Sequence, residues 1–172
     1  TLSLVTSPDL LILQYFEQHP LKSLTIRQLS QQLKASYSWT YTHVKNLIAD
    51  DVLHAQEVGP SILISLNLES LRTTALLALA STERTALFLA NNEHARHLEQ
   101  TLRPEPPRHV HCVLVTPSQE VIIVTDAPDA VVPFGGPVFT KYTSQSFQPL
   151  KHLNNTILMG FEFFWRLAGR QR

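Results

Sequence analysis

The chain has 172 residues, 44% of them hydrophobic, and its 14 basic side chains balance 14 acidic ones, so the formal net charge is zero. That length suits one or two small domains with a real core. The charge balance excludes an acidic or basic tail and sets the chain apart from strongly basic nucleic-acid binders.

A single cysteine, Cys112, excludes an internal disulfide and suits an intracellular, cytoplasmic protein. The opening residues lack the basic n-region and cleavage site of a signal peptide. No apolar run reaches the roughly 18 residues that a membrane span needs, so no membrane partner is expected.

A first helix is expected from Ser7-Pro8-Asp9. Ser7 suits the cap, Pro8 the first turn, and Asp9 the positive helix end. Leu10, Leu11, Leu13 and Phe16 form its apolar stripe, and Pro20 lies just beyond its end. Thr25-Ile26-Arg27-Gln28 matches a capping box, and Ile26, Leu29 and Leu33 then share one face. After a turn over Lys34–Ser36, a third helix is predicted from Tyr37 to Ala49. Thr40, Val44 and Leu47 point it at the core, leaving Tyr37, Ser38, Trp39, Thr42, His43 and Asn46 outside.

Leu53–Glu57 and Ile62–Leu66 read as a hairpin about Val58-Gly59-Pro60-Ser61. Leu68–Ala80, Thr82–Ala90 and Glu93–Leu102 are helical by composition. Arg103-Pro104-Glu105-Pro106-Pro107 is a stiff break. Beyond it, His109–Thr116 and Val121–Thr125 are β-rich and separated by Pro117-Ser118-Gln119-Glu120. A stretch through Pro133, Gly135, Gly136 and Pro137 leads to a possible strand at Val138–Tyr142. Ser144–Leu153 and Gly160–Leu167 read as closing helices.

Residues from about Pro8 to Asn67 resemble winged helix-turn-helix domains of the MarR/ArsR-like kind. The resemblance is carried by Ser36, the pair Val44 and Leu47, Val52-Leu53, and Gly59 closing on Ile62–Asn67. Asp51 stands where such domains usually have glycine. The resemblance implies that the third helix enters the major groove of DNA. The remainder resembles the nucleotidyltransferase-like domain that follows winged helices in some archaeal proteins. That part rests on the strands His109–Thr116 and Val121–Asp126 and on the closing Val138-Phe139-Thr140, Phe147, Ile157–Gly160 and Phe163-Phe164. Transferase chemistry needs a Gly-Ser phosphate turn and carboxylates spaced for two metals. The region has no Gly-Ser, four residues separate the two strands, and Asp126 and Asp129 are its nearby aspartates. The expectation is therefore a degenerate, non-catalytic domain.

The overall expectation is an α+β protein. Residues 1–80 form a winged helix with a trailing helix, residues 81–106 a helical connector, and residues 107–172 a small α+β domain. Its expected role is non-catalytic binding of double-stranded DNA, in transcription regulation or genome maintenance, with no cofactor and no metal. Ser36, Tyr37, Ser38, Trp39, Thr42, His43 and Asn46 would meet base edges or phosphates, and Lys34 and Lys45 phosphates. Up to Asn67 the chain has four basic and five acidic side chains, which favours a homodimer that adds weak half-sites. The same surface serves equally as an adaptor for a protein partner, since Tyr and Trp are common interface anchors. Glu57 on the wing makes minor-groove contact the weaker reading there.

Other motifs have plainer readings. His94 and His97 share a helical face, but no pattern supplies a third ligand. His109 and His111 share a strand face with Cys112 opposite, which suits a buried, inert thiol. Gly135-Gly136 reads as a turn. Phe161, Phe164, Trp165 and Ala168 recur at core spacing, followed by Arg166, Arg170 and Arg172.

Overall fold

The computed structural model describes residues 7–102, 109–127 and 139–171, with Ser7, Pro8 and Phe139 described by their backbone alone. The expectations on the caps Ser7 and Pro8, the Arg103–Pro107 break, Asp129, the Pro133–Val138 stretch and Arg172 therefore lie outside the described residues. The architecture is α+β, as the sequence pattern indicates. It divides into one compact unit ending at Ala80 and another beginning at Ser81.

The first unit opens with α1 (Ser7–Gln18). Its buried stripe is Ile12, Leu13 and Phe16, while Leu11 is 41% exposed, which corrects the expected stripe. Leu11 and Leu13 lie about 200° apart around a helix and cannot both face one core. The two-residue strand β1 (Leu24–Thr25) leads into α2 (Ile26–Gln32) through a complete capping box. The Gln28 amide donates to Thr25 Oγ1 at 3.2 Å, and the Thr25 amide to Gln28 Oε1 at 2.8 Å.

Each end of the next helix, α3 (Tyr37–Ala49), is set by local chemistry. Ahead of it, Lys34 adopts φ +52°. Lys34 N donates to Gln31 O at 3.2 Å and Ala35 N to Ser30 O at 2.9 Å, the pair of bonds that ends a helix in a left-handed turn. Ser36 then caps α3, accepting from Trp39 N at 3.3 Å. Behind α3 the motif repeats: Asp51 has φ +59°, with Asp51 N bonded to Ile48 O at 3.0 Å and Val52 N to Leu47 O at 2.9 Å. Buried Asn67 holds that turn, its amide donating to Asp51 O at 3.1 Å and Asp51 Oδ1 at 3.0 Å.

The chain then forms β2 (Leu53–Val58) and β3 (Ser61–Leu66), an antiparallel hairpin whose sheet has the order β1-β3-β2. Its tip is Gly59-Pro60. Gly59 takes φ +58°, as the first residue of a two-residue hairpin turn of mirror-image type requires. Leu24, Ile26, Leu29, Val44, Leu47, Leu53, Ile64 and Leu66 join the α1 stripe among the buried residues.

One helix, α4 (Leu71–Ala90), occupies the stretch expected to hold two. Ala78–Glu83 contains neither Gly nor Pro, so nothing interrupts the backbone ladder there. In the second unit α5 (Glu93–Leu102) precedes a four-stranded sheet of β4 (Val110–Val115), β5 (Val121–Thr125), β6 (Phe139–Tyr142) and β7 (Thr156–Met159). The order is β6-β5-β4-β7; the β5–β6 pair is parallel and the others are antiparallel. Leu98 and Leu102 of α5 cover Val113, Val115, Val121, Ile123 and Leu158.

Buried Phe164 and Trp165 anchor α6 (Phe161–Arg170). One expectation fails between β6 and α6. Ser144–Leu153 is not an α-helix but a turn followed by a 3-10 segment at Pro149–Lys151, because Pro149 cannot continue a helix from upstream. Ile157–Met159, for which no element was expected, lies in β7, too short to show alternation in the sequence.

Gly160, at φ +80°, joins β7 to α6 against β4. A Cβ there would strike the His111 carbonyl oxygen and come within 2.8 Å of Cys112 Cα. Replacing Gly160 by Ala is expected to destabilise the second unit by about 3 kcal/mol or more, from left-handed strain and overpacking together. Trp165 fluorescence during urea unfolding, read in a Trp39→Phe background, measures this; an unchanged midpoint would refute it.

Candidate functional site

The face of α3 opposite Thr40, Val44 and Leu47 is the candidate site. Tyr37, Ser38, Tyr41, Thr42, Lys45 and Asn46 are all exposed there, and Ser36 and Lys34 are exposed at its leading end. Tyr37 and Tyr41, at 53% and 39% exposure, stack with ring centroids 6.0 Å apart and planes 30° apart. The Lys45 ammonium lies 5.6 Å from the centre of the Tyr41 ring. Positions i, i+4 and i+8 thus form a continuous ladder of two aromatic rings and a cation.

Tyr41 was not among the residues assigned to this face from sequence. It lies one position past buried Thr40, about 100° round the helix; its place between Tyr37 and Lys45 is the signal that identifies it.

Trp39 and His43, both assigned to the binding face, are half-buried and engaged elsewhere. Their rings pack at 4.8 Å, and His43 Nδ1 lies 2.9 Å from Asp9 Oδ1 on α1. These two side chains tie α3 to α1, while the outward surface shifts toward Tyr37, Tyr41 and Lys45. At the other end, Arg72 approaches Asp50 at 3.1 Å. This surface pair contributes little stability but offsets one acid at the end of α3.

A cleft of about 330 Å³ adjoins Tyr37, lined by Thr25, Ile26, Arg27, Tyr37, Pro60, Ser61 and Ile62. It lies between the start of α2, the start of α3 and the hairpin tip. Arg27 is exposed and was not among the residues selected from sequence.

In the second unit His94 and His97 are exposed on α5, and no cluster of three or more His, Cys, Asp or Glu side chains lies together among the described residues. His109 sits in a turn at φ +68° rather than on the strand expected to carry it. The β4–β5 register shifts between Val110 and Cys112; this bulge breaks the alternation assumed for His109, His111 and Cys112. Cys112 is fully buried, and burial pushes its thiol pKa up, as its valine neighbours suggested.

Asp126, immediately after β5, is the acceptor of a small cluster. Ser144 donates to it through its amide and its hydroxyl, both at 2.7 Å. His111 Nε2 lies 3.0 Å away, its ring stacked on Phe163 at 4.8 Å. The Ser144 amide, then its hydroxyl, and more weakly His111 hold the Asp126 carboxyl below its usual range.

Comparison of the chain with family models, with curated proteins and with solved structures gave no match. Among the described residues no helix is long and apolar enough to cross a membrane.

Two expectations follow. Trp39→Ala should lower the stability of the first unit by about 1–2 kcal/mol by removing packing on His43, whereas Lys45→Ala should leave it unchanged; urea melts of the two variants decide this. Asp126→Asn should destabilise the second unit at neutral pH. A depressed carboxylate pKa stabilises above the unfolded value of about 3.9 and ceases to as pH falls through the folded value. The difference from wild type should therefore be flat above about pH 6 and close in acid. A gap that widens on acidification would contradict it.

Proposed function

We propose that the first unit is a winged helix-turn-helix and that the chain is a non-catalytic binder of double-stranded DNA, in transcription regulation or genome maintenance. The observation that carries this is the uncovered face of α3, with Tyr37, Ser38, Tyr41, Thr42, Lys45 and Asn46 beside the β2–β3 hairpin. Asn can pair bidentately with adenine, hydroxyls bond base edges or phosphates, and ring edges or methyls meet thymine methyl groups. Lys34 and Lys45 supply phosphate contacts, and a homodimer would join two such weak half-sites.

The second unit is read as a companion without transferase chemistry, related at most in degenerate form to nucleotidyltransferases. In support, β4 passes to β5 through a tight turn, closed by Thr116 N to Glu120 O at 2.9 Å, which leaves no helix to present phosphates. Asp126 is engaged with Ser144 and His111.

A second reading, a protein adaptor using the same face, is favoured by one observation: the exposed, mutually stacked Tyr37 and Tyr41 are typical interface anchors.

Fluorescence anisotropy with a mixed-sequence duplex tests the leading reading. Affinity should fall steeply with salt, by about 0.9 in log–log slope for each phosphate neutralised. Lys45→Ala should lower that slope by about one such step, and Tyr41→Ala should weaken binding roughly tenfold as an aromatic contact is lost, both with unchanged melting. Absence of duplex binding at low salt would refute the DNA reading. Affinity insensitive to both variants would move the site away from α3.

A further inference from the structure

We infer that the cleft between α2, Tyr37 and the hairpin tip is a binding site for a single nucleic-acid backbone phosphate, held by Arg27, Ser61 and Tyr37. The inference rests on the proposed DNA reading and names a contact point that it lacks. The polar side chains lining the cleft are Thr25, Arg27, Tyr37 and Ser61, and no carboxylate is among them. The Thr25 hydroxyl is committed to the capping box with Gln28. No side-chain bond or ion pair appears for Arg27, Tyr37 or Ser61 among the described residues, leaving a guanidinium and two hydroxyls as donors. The nearest acid in register is Glu57, paired across the hairpin with Ile62, and it lies outside the lining.

A phosphodiester fits this donor set better than the alternatives. Guanidinium prefers a planar or tetrahedral oxyanion that accepts several bonds at once, and hydroxyls complete it without adding charge. Ile26, Pro60 and Ile62 complete the wall beside these donors. The position also fits. Tyr37 begins the helix proposed to enter the groove, and Ser61 follows the hairpin tip, so the site joins the two elements that a DNA backbone would pass between. The hairpin lacks Lys and Arg from Leu53 to Leu66. Arg27, contributed by α2, supplies the cation that the wing does not.

The test uses the full chain and a mixed-sequence duplex, with affinity measured by anisotropy between about 50 and 200 mM salt. Arg27→Ala should reduce the log–log salt slope by about 0.9, the signature of one lost phosphate contact, and Arg27→Lys should restore most of it. Ser61→Ala and Tyr37→Phe should weaken binding by about tenfold or less without changing the slope, since each removes a neutral donor. Glu57→Gln should raise affinity modestly. Each variant's thermal melt should match wild type, because none of these side chains is buried. A wild-type chain that binds duplex with a slope unaffected by Arg27→Ala overturns the cleft assignment and leaves the DNA reading standing. A wild-type chain that fails to bind duplex at all overturns both.

Discussion

Lys34 and Asp51, neither of them glycine, hold the left-handed backbone region on either side of α3, and what that helix presents depends on both. Each such residue costs about 1–2 kcal/mol relative to glycine. The paired terminal bonds at each turn offset part of that cost, and the Asn67 amide adds two more at Asp51. The turns fix where α3 begins and ends. Thr40, Val44 and Leu47, buried on one side, fix its rotation. With axis and rotation set, Tyr37, Tyr41 and Lys45 have no freedom to turn inward, and the outward face follows from the core rather than from any preference of its own.

The charge count first argues against DNA, since acids outnumber bases up to Asn67. Geometry changes its weight. Asp9 is occupied by His43, Asp50 by Arg72, and Asp51 by the Asn67 amide. What α3 and its surroundings turn outward is richer in cations than the tally implies: Lys34, Lys45 and Arg27, with Glu57 as the opposing acid on the hairpin. The acids keep their charge but are held at the ends of α3 and on α1, so the cations Lys34, Lys45 and Arg27 are what the outward face presents. The field remains modest, so in the proposed DNA complex aromatic and hydroxyl contacts would carry a larger share of the affinity than in a strongly basic domain.

Much of the first unit is readable without coordinates because its signals are local. The capping box at Thr25–Gln28, the Ser36 cap and the Gly59-Pro60 tip each act within a few residues. The helical period places Thr40, Val44 and Leu47 correctly for the same reason. His43 is drawn to Asp9 on another helix, which no period reveals, and Trp39 packs on His43 beside it. The Arg27 cleft is hidden likewise, since Arg27, Tyr37 and Ser61 converge only through the β1–β3 pairing and the hairpin. In the second unit the errors are of another kind. The bulge at His111 shifts strand parity, Pro149 prevents an expected helix, and β7 is too short to show an alternation.

The second unit also shows why polar side chains on α4 matter to a sheet they do not belong to. β7 is an edge strand, and an edge leaves backbone groups that invite another strand to pair. Thr85 donates to the Ile157 carbonyl at 2.8 Å, and Arg84 to the carbonyls of Leu153 and Asn155 at 3.0 and 3.1 Å. The Trp165 indole N–H donates to Ser81 Oγ at 2.9 Å, bringing α6 to the same helix. The latter half of α4 thus satisfies the carbonyls along and just before β7 from the side, where a partner strand would otherwise supply its own amides. Recognition by strand addition would have to displace these bonds and leave the buried Thr85 hydroxyl unsatisfied, a cost of about 1–3 kcal/mol. The α3 face asks for no such displacement, since its aromatic rings and Lys45 already stand in solvent, and for that reason it is the surface on which binding is best sought.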